Sequence, residues 1–128
     1  ILEGIAFEYA AWQDLAGELG GARLREARVL GGGARSALWN QIKADVLGID
    51  WVPTLRQECG VLGDALIAAV ATGHLHDLAA TAKSWQETAA PVAPDQGRHE
   101  RYARFLAASR ELAGRTEPVF ELLGEAME

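Results

Sequence analysis

The sequence predicts a helix-rich α/β fold in which short parallel strands are packed with amphipathic helices. Apolar residues recur at three- and four-residue steps over most of the chain, which is the spacing of helices with one buried stripe. Two short strand-like segments, at residues 27–30 and 49–52, flank one helical stretch. A strand, a helix and a strand in this order form the crossover that parallel strands require. With 128 residues, the chain has the length of one domain.

Composition and charge argue against several classes of function. The formal net charge is -6, whereas partners such as nucleic acids and anionic membranes are usually met by a basic surface. The most apolar run, residues 61–70, is shorter than the roughly 20 residues of a membrane span. A single cysteine, Cys59, excludes an intrachain disulfide and fits a reducing compartment. We therefore expect a cytoplasmic protein that binds neither nucleic acid nor membrane.

The first predicted element is an amphipathic helix from Leu2 to Leu19. Gly20 and Gly21 supply its C-cap, because glycine adopts the left-handed conformation that closes a helix. The helical pattern begins with the first residues, without a secretory leader or cleavage site. We therefore expect the chain to be a segment of a longer protein.

The sharpest chemical feature is the glycine turn, Gly31–Gly33, which directly follows the predicted strand at residues 27–30. Ser36 is placed to N-cap the next helix, which Gly48 ends. Backbone amides at such a turn, together with the positive end of a helix dipole, form a site for an anion such as phosphate. Glycine turns between strand and helix also occur for purely geometric reasons, so the motif alone leaves both interpretations open.

Two better-known nucleotide motifs do not fit this turn. No Gly-Lys-Ser/Thr follows it, so it is not a P-loop. A dinucleotide fingerprint would have glycine where Ser36 stands, and its acidic residue would end the next strand, whereas Asp50 lies near the start. A dinucleotide-binding oxidoreductase domain is therefore kept only as a third alternative.

Three further helical regions are predicted after the second strand. The helix at residues 61–72 is apolar almost all round, and we expect it at the centre of the core. Asp77 N-caps a short helix, and residues 90–94 form an extended proline-containing linker. A long helix begins near Asp95, and a separate last helical segment begins at residue 116 or 117.

Two strands are too few for this many helices, because sheets usually have about four to six strands. Further strands are therefore expected upstream of this chain or in another domain. The remaining polar residues are predicted to be structural: Asp45 as a buried hydrogen-bonding group, Glu58 at a helix start, and His74 and His76 in a solvated loop without a third metal ligand. No catalytic or metal-ligating residue is predicted.

The order of motifs resembles the C-terminal domain of FGGY carbohydrate kinases, and most closely their xylulose kinase branch. The helix of Leu2–Phe7 is similar to the family's helix before the glycine turn, and Pro94 and Asp95 followed by Tyr102 are similar to its late helix. The residues from the turn onward that carry the resemblance are Gly31, Gly32, Gly33, Ser36, Trp39, Gln41, Ala44, Asp45, Gly48, Val52, Glu58, Gly60, Leu62, Gly63, Ala65, Ala68 and Ala69.

The resemblance implies one half of an actin-like, ribonuclease H-like ATPase fold, in which two lobes close over ATP and sugar. It implies that Gly31, Gly32, Gly33 and Ser36 form the nucleotide side of the site. Gly32 and Gly33 would face the phosphates, and Ser36 would lie near the base or ribose. Mg²⁺ would be held through the phosphates, and the sugar site and catalytic aspartate would lie in the region before this domain.

The expected function of residues 1–128 is therefore ATP binding within a kinase that transfers the γ-phosphate of ATP to a small sugar, with xylulose as the expected substrate. The N-terminal sugar-binding lobe and the first strands of the domain are expected outside the chain, so the chain alone is expected to be inactive. The C-terminal helices are available for a homodimer contact. The alternative is a non-catalytic nucleotide-binding or interaction module of the same fold.

Overall fold

A computed structural model describes residues 1–20, 24–56 and 58–126. The elements follow one another as α1 (Leu2–Gly20), β1 (Glu26–Val29), a 3₁₀ turn (Gly32–Arg35), α2 (Ala37–Leu47), β2 (Asp50–Pro53), α3 (Cys59–Ala71), α4 (Leu78–Trp85) and α5 (Gln96–Glu125). Gly20 is the last helical residue of α1, and the other half of its predicted C-cap, Gly21, lies outside the described residues.

β1 and β2 pair as a two-stranded parallel sheet, with Ala27 opposite Trp51. α2 is the crossover between them, so the predicted unit of strand, glycine turn, helix and strand is confirmed. Within the described ranges, β2 lies on one edge of β1 and no strand pairs with the other edge.

The segment predicted as an extended linker extends the pairing of β2. Val92 of this segment forms an antiparallel bridge with Trp51, and Thr88, two residues before the segment, forms one with Thr54, which directly follows β2. The amide of Trp51 donates to the carbonyl of Val92 at 3.0 Å, and the amide of Val92 donates back at 2.9 Å. The linker is therefore extended, as predicted, and it covers the outer edge of β2.

The core lies where α1, α2 and β2 meet. Buried alanines on the two helices let their backbones approach closely, and Trp51 of β2 is buried in the same cluster. The buried apolar cluster consists of Ala6, Ala10, Ala44, Val46, Leu47, Ile49 and Trp51.

α3 does not lie at the centre of this core, so that prediction was wrong. Leu66 is its one buried residue, while Val61 and Ile67 are 66% and 60% exposed. A helix that is apolar all round normally has packing partners on several sides, but α3 packs chiefly against α4 within the described part of the chain.

The C-terminal region is one helix of 30 residues, α5, and not the two segments that the sequence suggested. Asp95 N-caps it as predicted, accepting a hydrogen bond from the amide of Arg98 at 2.8 Å. Thr116 does not begin a new segment, because its hydroxyl donates to the carbonyl of Leu112 inside the helix at 3.0 Å. Pro118 lies within α5 even though proline removes one helical donor. None of the helices described combines the length and the apolar character that crossing a bilayer requires.

Candidate functional site

The glycine turn leaves the carboxyl end of β1 and leads through the 3₁₀ turn into α2. Its first residue, Gly31, has φ 85° and ψ -178°, a combination that is essentially restricted to glycine. The path of the chain therefore requires glycine at this position, whatever the turn binds.

Gly32 and Gly33 differ from Gly31, because the fold itself does not require them. Neither has a positive φ. A Cβ atom on Gly32 would meet nothing within 4 Å, and one on Gly33 would lie 3.6 Å from the ring of Trp39, which is ordinary contact. Both residues are exposed, and no described residue accepts a hydrogen bond from either backbone amide. Two unobstructed donors therefore lie side by side at the end of a parallel strand.

Ser36 N-caps α2, as predicted. Its Oγ accepts a hydrogen bond from the amide of Trp39 at 3.2 Å, and its backbone is extended, as is usual at an N-cap. The hydroxyl hydrogen can still be donated to a ligand, because a serine hydroxyl is both donor and acceptor. The capping role alone already explains a serine here.

Asn40 is a residue of this region that the sequence reasoning missed. It lies one helical turn beyond Ser36 and is only 3% exposed. Its Nδ2 donates to the carbonyl of Ala34 in the 3₁₀ turn at 2.7 Å, while its buried Oδ1 has no hydrogen-bond partner among the described residues. The available signal was asparagine in a helix interior, where it is a poor helix former and its amide needs a polar partner.

A cavity of about 320 Å³ lies beside the turn, and Gly31, Ala34, Arg35 and Asn40 form one wall of it. The opposite wall comes from the end of β2 and the extended segment that covers that strand. Ligands of parallel α/β sheets commonly bind outside the carboxyl ends of the strands, which is where this cavity lies. Its volume is at the lower end of the range for small-molecule sites.

The four predicted site residues lie on one short stretch of the chain, but their surroundings differ. Gly31 lines the cavity. Gly32, Gly33 and Ser36 lie on exposed surface next to it. The arrangement therefore combines a pocket with a row of outward-facing donors at its rim.

We expect Asn40→Asp to loosen the 3₁₀ turn and to lower the free energy of unfolding by about 2 kcal/mol, because a carboxylate cannot donate to the carbonyl of Ala34. Chemical denaturation followed by far-UV circular dichroism measures the change. Gln96→Glu makes the same chemical change at the exposed start of α5 and should alter stability by less than about 0.5 kcal/mol. Equal effects of the two substitutions would contradict a role of Asn40 in holding the turn.

Asp45 forms a buried hydrogen-bonding centre, in agreement with its predicted structural role. It is 1% exposed. Its carboxylate accepts hydrogen bonds from Gln41 Nε2 at 2.8 Å, the amide of Asp95 at 2.7 Å and Arg98 Nε at 2.5 Å. These bonds tie α2 to the start of α5.

The remaining polar residues that the sequence singled out do not line the cavity beside the glycine turn. Glu58 occupies the N-cap position of α3 without a side-chain capping bond. His74 lies in the loop after α3, with Nδ1 3.0 Å from the hydroxyl of Thr72. In the described ranges, no three His, Cys, Asp or Glu side chains come together as a metal site would require.

The class of protein follows from a match of the sequence to a known family. Residues 1–72 match the model of the FGGY family of carbohydrate kinases, C-terminal domain. This match covers 72 of the 128 residues, and the chain belongs to this family.

Two relatives of this chain are kinases of much greater length. The glycerol kinase of Rhodopirellula baltica is 33% identical over 115 residues, which is 86% of this chain and 21% of the relative. The L-xylulose/3-keto-L-gulonate kinase of Escherichia coli is 33% identical over 88 residues, which is 63% of this chain and 18% of the relative. The chain thus spans about a fifth of the length of the curated relatives it matches.

Solved structures show the same fold. The ligand-bound xylulose kinase of Lactobacillus acidophilus matches with a TM-score of 0.77 at 20% identity, over 91% of this chain and 24% of that one. The xylulose kinase of Rhodospirillum rubrum matches with a TM-score of 0.76 at 24% identity, over 94% and 24%. The predicted fold class, a helix-rich α/β part of the actin-like C-terminal domain with parallel strands, is confirmed.

Proposed function

We propose that residues 1–128 are the nucleotide-binding C-terminal part of an ATP-dependent carbohydrate kinase. The observation that carries this proposal is the pair Gly32 and Gly33, which neither backbone conformation nor packing requires. Their amides have no acceptor among the described residues. Small residues with unobstructed donors are what the close approach of a phosphate group needs.

Each residue of the glycine turn has a distinct part in this proposal. Gly31 directs the backbone, and Gly32 and Gly33 present their amides to the phosphates. Ser36 and the adjacent cavity take the ribose or the base. Mg²⁺ arrives on the phosphates, whose oxygen atoms are its preferred type of ligand.

The reaction is proposed to be transfer of the γ-phosphate to a hydroxyl of a small sugar. We propose xylulose as the acceptor on the motif order described above, while the named relatives include kinases of glycerol and L-xylulose. The sugar site and the catalytic base are proposed to lie in an N-terminal lobe outside this chain. Since phosphoryl transfer depends on positioning by both lobes, the chain alone should not turn over substrate. Its proposed location is the cytoplasm.

Surfaces of the domain support the proposal of a missing lobe. Val61 and Ile67 on α3 are largely exposed, although an all-apolar helix normally has several packing partners. β1 also has one unpaired edge within the described residues. A homodimer contact is proposed through the end of α5, where four apolar side chains are exposed: Val119, Phe120, Leu122 and Leu123.

Gly32→Val tests the nucleotide site without disturbing the fold. A Cβ atom at this position meets no protein atom within 4 Å, and the valine side chain would extend into the space that a phosphate would occupy. We expect the substitution to weaken MgATP binding by about tenfold or more, measured by calorimetric titration of the full-length protein. Gly60→Val is the matched control, since a Cβ there also meets nothing within 4 Å.

The outcomes separate the two candidate functions. Equal MgATP affinity of folded Gly32→Val and wild type would rule out phosphate binding at the glycine turn. MgATP binding without phosphorylation of any sugar, in a panel of pentuloses, hexoses and polyols, would instead support a non-catalytic nucleotide-binding module. Tight NADH binding with weak ATP binding would favour a dinucleotide-binding domain.

A further inference from the structure

Lys43 is a buried cation on α2, one helical turn after Trp39. It is 4% exposed, and it takes part in no ion pair within the described ranges. Burial lowers the pKa of Lys43, because an ammonium group loses hydration there. A buried charge without an anionic partner is unfavourable unless other groups stabilise it.

Aromatic rings stabilise this cation. The Nζ atom of Lys43 lies 4.5 Å from the ring centroids of both Trp39 and Trp51, and 5.7 Å from that of Tyr9. Tyr9 meets each indole edge-on, with centroid distances of 6.4 and 6.0 Å. We call these three residues the aromatic cage. Since α1, α2 and β2 each contribute one ring, the ammonium group joins three elements by cation–π attraction.

Trp39 places the aromatic cage next to the glycine turn. Atoms Cδ1 and Nε1 of its indole lie 3.6 Å from the position that a Cβ on Gly33 would occupy. The backbone amide of Trp39 also donates to Ser36 Oγ. The backbone of Trp39 is thus hydrogen-bonded to Ser36, its ring lies next to Gly33 with room for no more than a methyl group between them, and the ammonium group lies over its face.

We propose that Lys43 is a positioning residue for the nucleotide, which holds the ring of Trp39 beside Gly33 and thereby limits the movement of the amide that faces the phosphates. This inference rests on the proposed function. Lys43 itself touches no ligand, and it acts through the indole of Trp39.

A filling role for Lys43 predicts a different result from a positioning role. If the side chain only filled space, methionine would serve as well, because replacing a buried charge by an apolar group of similar size is often neutral or stabilising. If the charge holds Trp39 in place, the same substitution loses nucleotide affinity while the fold keeps or gains stability. The filling role therefore predicts unchanged nucleotide affinity in Lys43→Met, whereas the positioning role predicts lower affinity without lower stability.

The test compares Lys43→Met, Lys43→Arg and Lys83→Met in the full-length protein. Lys83 lies exposed on α4 and serves as the control. We expect Lys43→Met to raise the Kd for MgATP by about tenfold, Lys43→Arg to stay within about threefold of wild type because the cation is kept, and Lys83→Met to leave Kd unchanged. Urea unfolding of the same variants should show no loss of stability for Lys43→Met.

Wild-type affinity in Lys43→Met, or an equal loss in Lys43→Arg, would overturn the inference and leave the proposed function intact. A wild-type protein that fails to bind MgATP would overturn both. Should Lys43→Met not fold, Trp39→Phe becomes the decisive variant, since it shortens the link to Gly33 and keeps the cation. A rise in its Kd is the expected result, and an unchanged Kd would overturn the inference.

Discussion

Gly48→Ala is expected to lower the free energy of unfolding by about 3 kcal/mol. Gly48 ends α2 in the left-handed conformation, with φ 65°, so an alanine is strained there. Its Cβ would also lie 2.5 Å from Cε1 and 2.8 Å from Nε2 of His99. The imidazole cannot simply move aside, because its Nδ1 is hydrogen-bonded to the carbonyl of Asp45 at 2.7 Å. Chemical denaturation followed by far-UV circular dichroism measures the loss.

Gly73→Ala is the matched control for the steric part of this prediction. Gly73 follows α3 with a similar φ of 75°, but a Cβ there would meet nothing within 4 Å. The control should therefore show only the backbone strain, about 1 kcal/mol. Equal losses at Gly48 and Gly73 would show that the contact with His99 adds nothing.

Asp45→Asn is expected to lower the free energy of unfolding by about 3 kcal/mol, because a buried carboxylate that accepts three hydrogen bonds is replaced by an amide. In either orientation the amide nitrogen of Asn would face a donor, which is Arg98 Nε in one and the backbone amide of Asp95 in the other. The connection between α2 and the start of α5 should weaken, so amide hydrogen exchange should speed up at the first turns of α5.

Asp14→Asn makes the same change in another carboxylate that faces α5. Asp14 is paired with Arg110, and both side chains are more than half exposed. Exposed pairs contribute little, so this control should lose less than about 1 kcal/mol. If the two substitutions were equally destabilising, the buried network around Asp45 could not be what anchors α5.

Local features of the fold could be predicted from the sequence because they depend on contacts a few residues apart. Ser36, Asp77 and Asp95 each cap a helix through an amide three residues later. Gly48 closes α2 in the left-handed conformation, which glycine adopts more readily than any other residue. These positions carry their structural signal in residue type and spacing alone.

Features that depend on distant partners could not be predicted in the same way. The apolar pattern of α3 indicates that the helix needs packing partners on several sides, but it does not identify them. In the structure only Leu66 of α3 is buried. The pairing of Val92 with Trp51 joins residues far apart in sequence. The roles of Asn40 and Lys43 on α2 depend on the carbonyl of Ala34 and on the rings of the aromatic cage. The sequence alone does not place these partners next to them.

The family resemblance predicts separate roles for the residues of the candidate site, whereas the glycine motif itself does not distinguish them. By residue type alone the three glycines are alike, whereas the structure separates Gly31, whose backbone conformation requires glycine, from Gly32 and Gly33, whose conformations do not. Backbone angles and the space around a missing Cβ make this distinction, and neither can be read from a triglycine motif.

The pairing of the extended segment with β2 also determines how a larger sheet can be built. Since one side of the pair is occupied by Thr88 and Val92, additional strands can join only beside β1. β1 would then become an interior strand, and a phosphate at the glycine turn would lie over the middle of the completed sheet. Until such a neighbour is present, the charged Glu26 and Arg28 on β1 discourage pairing with a second copy of the chain, as charges on edge strands commonly do.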